Sequence, residues 1–201
     1  MNARDIVFDS VLPVFKSCFG RFERGDLLFF GDRADVVSPA PRKYSLDAEP
    51  NMVYNVRPSS VKGVPLFKDV TVSDGYVNMT FSDEAVTLLA EGFAEGRSPA
   101  RIPDAFDTGS RDALLAALVP LSRYDGGVFP PEDPLVRRAV LYSMFADTPE
   151  SVSRAYELIR RAVSLDRRAR CRGRRLISGK AALIMALALE ESNQQLAISN
   201  R

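Results

Sequence analysis

The side chains best suited to chemistry in this chain are arginines, and they crowd together. Between Arg154 and Lys180 lie ten basic residues against two acids, Glu157 and Asp166, a local charge of +8. The candidate contacts are Arg160, Arg161, Arg167, Arg168, Arg170, Arg172, Arg174, Arg175 and Lys180. A guanidinium stays charged near neutral pH, and its planar fork meets phosphate oxygens two at a time. A cluster of this density is the electrostatic footprint expected for a phosphate-rich partner such as RNA. The competing explanation is a solvated helix face paired with acids elsewhere in the chain.

Other chemistry is thin. The 201 residues include no histidine, no tryptophan and two cysteines. Ser-His-Asp and Cys-His catalytic pairs are therefore excluded. Histidine metal sites and four-thiolate zinc sites are excluded as well. Gly173 to Lys180 invites comparison with a phosphate-binding loop, but five residues separate Gly173 from Gly179 where that motif has four. Ala181 also stands where Ser or Thr would bind magnesium. A phosphate contact at the amino end of the last helix, near Ser178, Gly179 and Lys180, stays open. Cys171, between Arg170 and Arg172, is either a thiol activated by positive charge or a passive one. Cys18 reads as a core residue. Asp83-Glu84 and Glu190-Glu191 are adjacent on helices and do not face each other, so neither suggests acid-base work. Phe8, Phe15, Phe19, Phe22, Phe29 and Phe30 could make an interaction surface, but read as core, which uses such residues routinely. No catalytic residue, metal or cofactor is expected, and the chain is read as a non-enzyme.

The global charge of +1 conceals an asymmetry. Residues 1–98 carry 11 basic and 14 acidic side chains, net −3, and residues 99–201 carry 16 and 12, net +4. The amino terminus is amphipathic, without the charge-free core of a signal peptide. The longest apolar run, Ala181 to Leu189, is nine residues, whereas a membrane span needs about 20. Two unspaced cysteines do not make a disulfide framework, which fits a reducing compartment. A soluble cytoplasmic protein is the expectation.

The elements that must position these residues follow from periodicity. Ile6, Val7, Val11, Val14 and Phe15 predict a helix over 3–19, with Pro13 expected to bend or break it. Asp26 to Asp32 predicts a strand. Five prolines between Asp35 and Pro65 rule out a long regular element, leaving short strands or turns near Val36-Val37 and Met52–Val56. Phe67, Val70 and Val72 lead to a Ser73-Asp74-Gly75 turn and the alternating strand Tyr76–Phe81, the pattern of a half-buried antiparallel hairpin. Ser82 caps a helix that ends at Gly96. The Pro-, Asp- and Gly-containing stretch from Arg97 to Arg111 suits a connector. Beyond it the pattern is helical: 112–119, cut off near Pro120; a helix opened by Asp133-Pro134; one opened by Thr148-Pro149-Glu150; and 176–196, apolar on all sides in its middle and hence central. Gly173 is a predicted break.

The segment Val72-Ser73-Asp74-Gly75-Tyr76-Val77-Asn78-Met79-Thr80-Phe81-Ser82-Asp83-Glu84 resembles a stretch of the N-terminal additional domain of arginyl-tRNA synthetases. There a Gly, an aromatic, Ile or Val, Asn and alternating apolar residues precede a helix cap. Gly75, Tyr76, Val77, Asn78, Met79, Phe81 and Ser82 fit in order. The helical second half resembles the anticodon-binding domain of the same enzymes, and Leu196-Ala197-Ile198 stands where the family often has Leu-Gly-Ile. The resemblance implies contact with tRNA. The family's catalytic domain, its two-histidine signature and its Lys-Met-Ser-Lys-Ser type loop have no counterpart, which implies a relic of the accessory domains that cannot aminoacylate.

The expectation is an α+β protein in two parts: residues 1–98, a small antiparallel sheet with helices, and residues 108–201, an all-helical bundle. Its function is expected to be non-catalytic RNA binding, tRNA-related, through the arginine cluster. The alternative is a protein-protein interaction module or homo-oligomeric structural protein, its acidic half pairing with a basic half.

Overall fold

The computed structural model describes residues 3–30, 34–44, 60–61, 64–97 and 111–199. The fold is α+β, with a small antiparallel sheet followed by a helical bundle. The chain divides into two compact units, residues 1–89 and 90–201, and the division falls inside a helix. Of the predicted connector, Arg97 to Arg111, residues 98–110 lie outside the described residues, as does the predicted element at Met52–Val56.

In the first unit α1 (Ala3–Phe19) buries Val7, Val11 and Phe15 at helical spacing. It runs through Pro13 unbroken, because Pro13 lies on the exposed side. The Asp9 carbonyl that loses its donor is then open to water, which can replace it. The predicted strand at 26–32 is shorter than expected. Residues Arg24–Asp26 form a 3-10 turn, β1 covers only Leu28–Phe29, and Phe30 takes a positive φ of 65°. The next elements are β2 (Val36–Ser38), α2 (Ala40–Tyr44), β3 (Ser60–Val61) and β4 (Val64–Pro65), then the long hairpin β5 (Phe67–Ser73) and β6 (Tyr76–Phe81). The four-stranded sheet has the order β1-β2-β6-β5, all neighbours antiparallel. Asp74 and Gly75 both have positive φ, 56° and 78°, as a tight hairpin turn matched to strand twist requires. Val77, Met79 and Phe81 are buried, and the Phe67 and Phe81 rings stack 5.3 Å apart across the pair. The Ser82 hydroxyl accepts from the Ala85 amide at 3.1 Å, so the predicted cap opens α3 (Asp83–Ala94).

The aromatic group near the amino terminus is only partly core. Phe15 and Phe22 are buried, with ring centroids 4.6 Å apart. Phe8, Phe19, Phe29 and Phe30 are half-buried, and Arg4 and Arg24 lie over Phe29 and Phe8. Cys18 is half-buried rather than core.

The second unit is built from α4 (Arg111–Ser122), α5 (Pro134–Phe145), α6 (Pro149–Arg170) and α7 (Gly179–Ser199). α4 continues past Pro120, which is again exposed. α7 packs against the other three helices and buries Ala181, Ala182, Ile184, Met185, Ala186, Leu187 and Leu189, the central position its pattern predicts. The Asp133 carboxylate accepts from the Leu135 and Val136 amides, capping α5. No helix among the described residues is long and apolar enough to cross a membrane.

Candidate nucleic-acid interface

The arginines stand on α6 because its inner face is filled by small and apolar residues. Ala155, Leu158, Ile159 and Ala162 are buried toward the bundle. Thr148 and Ser151 cap the helix reciprocally: the Thr148 hydroxyl accepts from the Ser151 amide and the Ser151 hydroxyl accepts from the Thr148 amide. Arg154, Arg160, Arg161, Arg167 and Arg168 are all exposed. Arg154, Arg161 and Arg168 recur every seven residues, so they form one ridge with a step of about 10 Å. Arg160 and Arg167 form a second ridge beside it.

α6 ends in a turn that carries the remaining arginines. The Arg174 amide donates to the Ala169 carbonyl at 3.0 Å and the Gly173 amide to the Arg170 carbonyl at 3.0 Å. These are the two bonds of a Schellman cap, with Gly173 at the left-handed position (φ 72°). Arg172 and Arg174 are exposed on this turn. Asp166, fully buried, fastens the chain that follows. Its Oδ1 accepts from the Leu176 and Ile177 amides at 2.8 and 3.0 Å. Its Oδ2 lies 2.8 Å from Arg170 Nε, an ion-pair contact off the hydrogen-bonding direction.

The amino end of α7, where a phosphate contact stayed open, is covered by the loop after α4. The Gly179 amide donates to the Gly126 carbonyl at 3.2 Å, and the Ser178 hydroxyl accepts from the Ala181 amide at 3.3 Å. Ser178 and Gly179 are buried. A side chain at 179 would collide with the Tyr124 carbonyl, so glycine serves close approach there, not anion binding. Lys180 pairs with Glu91 at 2.7 Å and lies 5.1 Å above the Phe129 ring.

The predicted cations therefore differ in availability. Arg160 grips Glu157 with two hydrogen bonds, at 3.1 and 3.0 Å. That contact holds the Glu157 carboxyl below its ordinary range, against some burial, and Arg161 and Arg154 add to the effect. Arg170 faces Asp166, Arg175 stands 4.0 Å over the Tyr124 ring, and Lys180 is engaged as above. Arg161, Arg167, Arg168, Arg172 and Arg174 make no close ion pair with a carboxylate among the described residues, and Arg161 feels Glu157 only at longer range. Cys171 is exposed, its Sγ 3.5 Å from the Arg167 carbonyl.

A separate cavity of about 400 Å³ opens between α5, α6 and α7. Its polar lining includes Arg111, Tyr156 and Glu191, and its walls are mainly apolar, from Val152, Ala155, Ile159 and Leu189. Arg111 Nε donates to the Leu189 carbonyl at 2.7 Å, and Glu191 pairs with Arg97. With these groups engaged, the cavity suits an apolar ligand better than proton transfer.

No family model, curated protein or solved structure matches the chain. Periodicity does not single out Asp166, one of two acids in a basic stretch, or Tyr124, which lies in the loop after α4.

Proposed function

We propose that this chain is a non-catalytic, cytoplasmic RNA-binding protein, tRNA-related, which holds phosphates on the outer face of α6 and on the turn after it. The observation that carries the proposal is the set Arg161, Arg167, Arg168, Arg172 and Arg174, exposed and making no close ion pair among the described residues. Internal ion pairing accounts for Arg160, Arg170 and Lys180 but leaves these five unexplained. The resemblance of residues 72–84 to a tRNA-contacting domain favours tRNA among RNAs.

Binding to a tRNA pool, measured over a salt series, tests the proposal. Five phosphate contacts predict a slope of log affinity on log salt of about −4. A variant with Arg167, Arg168, Arg170, Arg172, Arg174 and Arg175 changed to Ala should lose most of the affinity and most of the slope. Equal binding by the two proteins would sink the proposal. Light scattering across concentrations separates the alternative, since a salt-sensitive oligomer without RNA affinity would favour an interaction module.

A further inference from the structure

Tyr124 and Val128 are 51% and 61% exposed, the large apolar side chains left open to solvent among the described residues of this unit. Both belong to the loop that covers the amino end of α7, next to the arginine turn. The Tyr124 ring is held in place rather than loose. A Cβ at Gly126 would lie 2.6 Å from its Cε1 and 3.1 Å from its Cζ, so the ring rests directly on that glycine. The Arg175 guanidinium lies over the ring, 4.0 Å from its centroid. Arg175 is itself exposed, and none of the described carboxylates pairs with it.

A guanidinium carried on an aromatic ring is oriented before any ligand arrives, and its flat, weakly hydrated outer face suits a second π system. Unpaired bases stack on arginine planes and aromatic rings in this way, whereas bases inside a duplex have no free face. Arg172 and Arg174 stand three and one residues upstream, placed to hold neighbouring phosphates.

We infer that Tyr124 and Arg175 form a stacking platform for an unpaired nucleobase, so that the RNA bound has a single-stranded segment, loop or end at this position. The inference rests on the arginine face binding RNA phosphates. It adds base contact to that reading and assigns the site.

The chain contains no tryptophan, so Tyr124→Trp places a single fluorophore in the platform. The full-length variant is titrated with a short single-stranded RNA, with an abasic ribose-phosphate chain of the same length, and with a blunt duplex. The expected result is quenching by the single strand alone, which also binds at least about five-fold more tightly than the abasic chain. Arg175→Ala in the same background should remove both the quenching and that preference, while Arg175→Lys should restore the charge without the preference. Because Arg175 is exposed, its loss leaves folding intact, which circular dichroism would verify. Equal affinity for single-stranded and abasic chains, without quenching, would overturn the platform and leave the phosphate-binding proposal standing. Absence of binding to all three would overturn both.

Discussion

At the scale of single residues, two buried carboxylates govern whether the structure holds. Asp166 accepts two backbone amides and faces Arg170. Removing it strands two amides, one of them buried, and leaves a guanidinium without its counter-ion. Asp166→Ala should therefore cost about 2–4 kcal/mol in urea unfolding, and Asp166→Asn, which keeps an acceptor oxygen, clearly less. Equal losses in the two variants would show that the amides are satisfied in another way. Asp26 is buried in the first unit and accepts from Lys43, Tyr44 and the Glu23 amide. Burial works to raise its pKa, but the hydrogen bonds from Lys43, Tyr44 and Glu23 outweigh it and hold the carboxyl below its ordinary range. A carboxyl depressed on folding contributes stability that is complete above the unfolded value of about 3.9 and is lost as pH falls through the folded pKa. The stability gap between the wild type and Asp26→Asn should be constant near neutrality and shrink on the acid side. Denaturation curves that stay parallel down through about pH 3 would contradict this assignment. Neither carboxylate announces itself in a string of letters, because each holds partners 10 to 18 residues away that no local pattern links to it.

At the scale of elements, caps, periodicity and the prolines at helix starts, Pro134 and Pro149, were strong guides, and prolines inside helices were poor ones. Thr148, Asp133, Ser82 and Gly173 all act as their neighbours in the sequence suggest. Pro13 and Pro120 do not end their helices, since each sits on the solvent side where a missing donor costs less. The strand expected at 26–32 shrank because buried Asp26 drew the chain into a turn. Two substitutions test the device that presents the arginines. Thr148→Ala should cost about 1 kcal/mol, through loss of the hydroxyl that caps α6. Gly173→Ala should cost about 1–2 kcal/mol, since a Cβ is strained at φ 72° although the site has open space around it. Thermal melts give both values. If Gly173→Ala left stability unchanged but weakened RNA binding, the turn would matter for presentation alone.

At the scale of the whole molecule, the near-zero net charge says little about behaviour, because ten of the 27 basic residues, against two acids, lie in one short stretch of the helical part. The prediction at this scale is ionic. Affinity for RNA should fall steeply with added salt in the wild type and only shallowly in the six-arginine variant. By itself the amino-acid sequence determined the α+β class, the hairpin, the capped helices, the central apolar helix and the place of the arginine cluster. These depend on the period of side chains along one element and on caps within a few residues. Only the tertiary structure decided which arginines are engaged and which are free, that the start of α7 is closed by a loop, and that Tyr124 carries Arg175. Those outcomes depend on contacts between residues from separate elements. Spacing along the chain carries no information about them until packing brings the elements together.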